Sequence, residues 1–135
     1  MSDACAIYSP KVDYSILRVA RELFPGSTLE LEGAPASWTA ATLSRGAEQL
    51  QLHALSRSTG GDKVLRILEG TTAFLRQKGV KPGELQELGD FLGKIEWLLG
   101  VVAIPALQGE LLDCVNALAK QLGGRVFQND AFRSA

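Results

Sequence analysis

The segment WTAATLSRGAEQLQLHALS, residues 38–56, carries the clearest structural pattern in the chain. In its second half, leucine and alanine alternate with glutamine and histidine, so an extended chain would have one apolar and one polar face. Arg45-Gly46 separates this half from a shorter extended run, and glycine readily adopts the positive φ that a tight turn needs. The pattern predicts a β-hairpin with strands at residues 38–44 and 48–56.

The residues before this hairpin predict one helix and a third strand. Apolar residues recur at helical spacing over residues 13–24, and Pro25-Gly26 ends the pattern. Residues 28–32 then alternate, with Leu29 and Leu31 on one face of a short strand. The three strands form an antiparallel meander with one apolar face, which helices must cover.

The residues after the hairpin predict three helices and two strands. The helices span from Asp62, as N-cap, to about residue 78, from Pro82 onward, and from about residue 108 to 122. Residues 98–104 form a continuous apolar run typical of a buried strand, although a helix running on to Leu99 is an alternative. Val126-Phe127 forms a last short strand, and little structure is expected after the Asn129-Asp130 turn.

The predicted fold class is α+β, a single domain over residues 1–135 with element order αβββααβαβ. Residues 13–78 supply helix, meander and helix, and residues 79–128 supply helix, strand, helix and strand. The C-terminal strand-helix-strand unit is expected to be a crossover with parallel strands, which makes the sheet mixed. Residues 1–12 are expected to be flexible.

Composition limits the functional classes. The chain has 135 residues, of which 46% are hydrophobic, with 14 basic and 15 acidic residues. This composition favours a soluble globular domain over a disordered chain and argues against binding to nucleic acid or to an anionic membrane. Because no signal peptide or membrane-spanning stretch is evident, a cytoplasmic location is expected, with Cys5 and Cys114 as free thiols.

No residue pattern specifies a catalytic or metal site. His53 is the one histidine, and its place on the polar face of a strand favours a solvent-exposed side chain without a catalytic role. Cys114 shares a helix face with leucine and valine, where a thiol packs as a small hydrophobic group. The expectation is therefore no catalytic residues, no metal and no cofactor.

One segment could hold a ligand. Ser58, Thr59, Gly60 and Gly61 form a predicted loop before a helix, where backbone N–H groups can bind an anion, with His53 as a further candidate. The segment lacks the GxxxxGK[ST] pattern of a phosphate-binding loop, and Asp62 places a negative charge beside it. A turn followed by a helix cap is the favoured interpretation, and a small-molecule or anion site is the alternative.

A protein-binding role is the leading hypothesis. Trp38 opens a strand and is a candidate for an exposed rim of the sheet, where tryptophan anchors interfaces. Leu29 and Leu31 lie on a strand that could be an edge and could accept a strand from a partner protein or from a second copy. With no charged patch to attract a ligand, apolar surface and strand edge remain for recognition, and a non-enzymatic interaction module is expected.

The order helix, three strands, helix over residues 13–78 resembles the first part of the small acidic chaperones of bacterial secretion systems. The resemblance implies a dimer that binds partner polypeptides. It covers the order of elements without a shared motif, and the predicted crossover after Ile95 departs from the two-strand ending of that family.

Overall fold

The computed structural model describes residues 1–134, which form seven β-strands, four α-helices and one 3-10 helix. The strands are β1 (Asp3–Ser9), β2 (Thr28–Glu32), β3 (Ala40–Arg45), β4 (Glu48–Ser56), β5 (Trp97–Ile104), β6 (Arg125–Gln128) and β7 (Ala131–Ser134). The helices are the 3-10 helix Tyr14–Ile16, α1 (Leu17–Leu23), α2 (Arg57–Gln77), α3 (Pro82–Gly93) and α4 (Gly109–Leu122). The predicted α+β class is confirmed.

The strands form one sheet in the order β2-β3-β4-β5-β1-β6-β7. Every neighbouring pair is antiparallel. Strands β5 and β6 run parallel to each other, but β1 lies between them and is antiparallel to both. The predicted mixed sheet is therefore wrong, because the inserted β1 separates the two parallel strands.

The first strand corrects the expectation that residues 1–12 are flexible. Strand β1 pairs with β5 from Asp3 to Ser9 and lies in the interior of the sheet. Its consecutive residues Ile7 and Tyr8 are both buried, on opposite faces. A strand covered on both faces shows no alternation of polar and apolar residues, so the sequence pattern did not predict β1. The expectation of little structure after Asn129-Asp130 is also wrong, because β7 follows there.

The start of α2 differs from the prediction as well. The helix begins at Arg57, directly after β4, and Ser56 caps it by accepting a hydrogen bond from the Thr59 amide at 3.2 Å. Asp62 is therefore not the N-cap, and residues 58–61 form the first turns of the helix instead of a loop. The helix alternative near Leu99 is also settled, because residues 97–99 belong to β5.

One face of the sheet is covered by α1 and α4. The main core lies there and is built around side chains that alternate along the central strands. From the strands it includes Ile7, Leu43, Leu50, Leu52, Leu99, Val101 and Val126. Helix α4 contributes its apolar stripe, and Cys114 lies buried within that stripe as expected.

The second face is covered over only part of its width. Helix α2 starts beside Leu55 of β4, passes Tyr8 of β1, whose hydroxyl lies 2.9 Å from Thr71 Oγ1, and reaches the β6–β7 hairpin. At the hairpin, Lys78 Nζ donates a hydrogen bond to the Asp130 carbonyl at 2.6 Å. Strands β2 and β3 lie outside this path, and on this face they present Thr28, Glu30, Glu32, Thr42 and Ser44 together with the buried Ala40.

Candidate protein-binding edge

Strand β2 forms one edge of the sheet. Within residues 1–134 its one strand neighbour is β3, with the register Thr28 opposite Ser44 through Glu32 opposite Ala40. The Glu32 carbonyl accepts hydrogen bonds from Thr39, just before β3, and the backbone groups of β2 that point away from β3 have no hydrogen-bond partner in that range. A row of unpaired backbone groups is a template for another strand.

A groove runs beside this edge on the face covered by α1. Its apolar floor is formed by Leu29 and Leu31 of β2 together with Tyr14 and Leu17 from the start of the first helical segment, and its volume is about 560 Å³. Both leucines are half-buried. The charged side chains on the rim are Arg18, Arg21 and Glu22.

Local hydrogen bonds and aromatic contacts position the groove wall. Asp13 caps the 3-10 helix by accepting a hydrogen bond from the Ser15 amide at 3.0 Å. The Trp38 indole donates a hydrogen bond to the Tyr14 carbonyl at 3.0 Å, and its ring packs edge-on against the Tyr14 ring with centroids 5.6 Å apart. Trp97 completes a cluster of three rings, with its centroid 5.2 Å from that of Tyr14 and 5.6 Å from that of Trp38.

The same contacts correct the interface prediction for Trp38. Its side chain is only 1% exposed, so it supports the groove from beneath and is not available to a partner. Of the predicted interface residues, Leu29 and Leu31 do lie at the surface, and both line the groove. Arg18 and Arg21 also border the groove, which helical spacing in the sequence does not show.

The opposite face of β2 is acidic. Thr28, Glu30 and Glu32 are exposed there, and within residues 1–134 neither glutamate forms a salt bridge. Their cross-strand neighbours on β3 are Ser44, Thr42 and Ala40, none of which carries charge. The edge therefore has one apolar side bordered by arginine and one side with two unneutralised carboxylates.

The candidate ligand residues are not gathered into a cavity. Ser58, Thr59, Gly60 and Gly61 lie in the first turns of α2, and Gly60 packs against Leu55. His53 is exposed on β4, opposite Ala40 on one side and Gly100 on the other, neither of which could orient an imidazole for catalysis. None of the five cavities described within residues 1–134 is lined by any of these residues.

Neither cysteine has the lowered thiol pKa that a reactive cysteine needs. Burial raises the pKa of the Cys5 thiol to about 11 and that of the Cys114 thiol also to about 11. A reactive cysteine requires the opposite shift. Both thiols are free, and Cys114 lies within hydrogen-bonding distance, 3.5 Å, of the Ala20 carbonyl. Among residues 1–134 no three histidine, cysteine or carboxylate side chains are grouped to hold a metal ion.

Comparisons with known proteins found no family model, no curated protein and no solved structure that the chain matches. None of the helices in residues 1–134 has the length and apolar character needed to cross a membrane.

Proposed function

We propose that this protein is a non-enzymatic protein-interaction module that binds an extended segment of another polypeptide along β2. The observation that carries the proposal is the combination of an unpaired strand edge with an apolar groove directly beside it. An edge alone is common to open sheets. An edge whose own leucines remain half-exposed in a groove offers both backbone hydrogen bonds and apolar contact.

The binding mode follows from strand geometry. A segment added beside β2 would form backbone hydrogen bonds with it, and every second side chain would point into the groove. Leu29, Leu31 and Leu17 would contact these side chains. Affinity would come mainly from the backbone and from buried apolar area, and specificity from which side chains fit the groove.

The test is selection from a library of displayed random peptides, followed by amide hydrogen exchange on the complex. Selected peptides should slow exchange in β2 and in the neighbouring part of α1. Replacement of Leu31→Lys should weaken their binding by about tenfold or more, because it places a charge on the groove floor.

Leu65→Lys is the matched control. Leu65 is likewise a leucine with solvent-accessible surface, 44% accessible against the half-buried Leu31, but it lies on α2 away from β2. This variant should bind the selected peptides with unchanged affinity, and thermal unfolding should show both variants folded. Peptides that bind equally to both variants, or that protect residues outside β2 and α1, would refute the proposal.

A further inference from the structure

We infer that the segment bound by β2 is a strand with alternating apolar and basic side chains, supplied by a partner and not by a second copy of this chain. The inference rests on the proposed function and specifies the chemistry of the partner. It follows from the different charges on the two faces of β2, one toward the groove and the other carrying Glu30 and Glu32.

On the acidic face of β2, the partner strand would lie next to Glu30 and Glu32. Residues directly opposite on neighbouring strands have Cβ atoms about 5 Å apart, within reach of a salt bridge. Both glutamates are exposed, and within residues 1–134 neither has a cationic partner. Lysine or arginine at alternate positions of the partner would supply the missing charge, whereas an acidic strand would be repelled.

On the groove side, the same partner would meet an apolar floor bordered by Arg18, Arg21 and Glu22, which leaves one net positive charge at the rim. A basic side chain directed into this groove would lose hydration without gaining a carboxylate on the floor. Apolar residues are therefore favoured at the positions between the basic ones. Because a slip of one residue would exchange the two sides, the charges also fix the register.

A second copy is disfavoured by the same charges. Antiparallel pairing of two β2 strands across a twofold axis would place Glu30 and Glu32 of both copies on the same face of a continuous sheet. Like charges on adjacent strands destabilise the pairing. The acidic side of β2 thus acts against self-pairing while leaving the edge open to a basic strand.

The test uses three labelled peptides of about nine residues, a length that covers β2 with a margin at each end. The first alternates lysine with valine, the second alternates glutamate with valine, and the third contains the residues of the first in blocks. Fluorescence anisotropy at about 0.15 M salt measures their affinities, since salt screens non-specific attraction. The alternating basic peptide should bind at least about tenfold more tightly than either of the others.

The variant Glu30→Lys/Glu32→Lys should reverse the preference between the first two peptides. Both side chains are exposed, so the variant should remain folded, and circular dichroism checks this. If acidic and basic peptides protect β2 equally well, the inference is wrong and the proposed function stands. If none of the three peptides binds but library-selected peptides protect β2, the inference is wrong and the proposed function stands, whereas both fail if neither set protects β2. A dimer in sedimentation that Leu31→Lys abolishes would identify the occupant as a second copy and overturn the inference.

Discussion

At one end of the sheet, the side chains of β7 are engaged by the rest of the chain, while at the other end those of β2 are only partly covered. Phe132 of β7 lies among three aromatic rings, with centroids 4.9 Å from Tyr8, 4.8 Å from Phe127 and 5.8 Å from Phe91. Arg133 donates a hydrogen bond to Asn116 Oδ1 of α4 at 2.5 Å. On β2, Leu29 and Leu31 face a groove and Glu30 lies in solvent.

The comparison indicates what distinguishes a binding edge from an edge that only ends a sheet. Each of these strands has a single strand neighbour among the described residues, so unpaired backbone does not separate them. Side chains of both strands border a cavity, of about 380 Å³ at β7 and about 560 Å³ at β2. However, Phe132 and Arg133 of β7 also contact three aromatic rings and Asn116, whereas Leu29 and Leu31 form the floor of the groove. Mutations in β7 should therefore affect stability, and mutations in β2 should affect binding.

The largest effect is expected from Gly124→Ala, just before β6. A Cβ atom at this position would overlap the backbone carbonyl oxygen of Tyr8 in β1. Since neither backbone can move without disturbing the β1–β6 pairing, the hairpin that carries β7 would be displaced. We expect a loss of about 3 kcal/mol in the free energy of unfolding, measured by urea denaturation.

Gly70→Ala is the control for this substitution. Gly70 lies within α2, and a Cβ atom there would have no neighbouring atom within 4 Å. Alanine should stabilise the helix by about 0.5–1 kcal/mol. A variant Gly124→Ala as stable as the wild type would show that the start of β6 is not held against β1 as described.

Alanine substitutions on the two edge strands should lower the free energy of unfolding by less than Gly124→Ala does, and by different amounts. Phe132→Ala removes three aromatic contacts and should cost about 2–3 kcal/mol. Leu31→Ala removes a half-buried side chain and should cost about 1 kcal/mol. Parallel denaturation curves give both values, and equal losses would mean that β2 is as firmly integrated as β7.

The strands that the sequence predicted best are those with one solvent-exposed face. Residues 28–32 and 48–56 alternate, and the structure forms β2 and β4 within the same bounds. Strand β1 was missed because a strand covered on both faces does not alternate. The turn at Asn129-Asp130 was recognised, but the strand after it is only four residues long; both turn residues have positive φ, 53° and 64°.

The candidate site was predictable only in part. Leu29 and Leu31 were identified because the alternation over residues 28–32 places both on one face of a short strand that could be an edge. The groove itself depends on how Tyr14 and Leu17 pack beside β2, which is a tertiary contact with no local signal. Trp38 was misassigned because a tryptophan that opens a strand has the same sequence context whether it is exposed or buried.

The smallest effect is expected on the pH dependence of folding stability, through one ion pair near each end of the sheet. Near β7, the hydrogen-bonded Arg125 guanidinium lowers the pKa of Glu87 below its ordinary value of 4.5. Near β2, Arg45 of β3 lowers the pKa of Glu110 in the same way. A lowered pKa in the folded state stabilises the fold above the ordinary value, and that contribution is lost as the pH falls through the folded pKa.

The variants Glu87→Gln and Glu110→Gln should each therefore flatten the fall in stability between about pH 5 and pH 3. The effect should be larger for Glu87→Gln, because Arg45 retains Glu48 and the Pro25 carbonyl as partners when Glu110 is removed, whereas Arg125 loses its carboxylate. Thermal melts across this pH range measure the slopes, with Glu84→Gln in α3 as the control for removing one surface charge. The reverse order would mean that the ion pair near β2 contributes more to the fold than the one near β7, contrary to the contrast between the two edges.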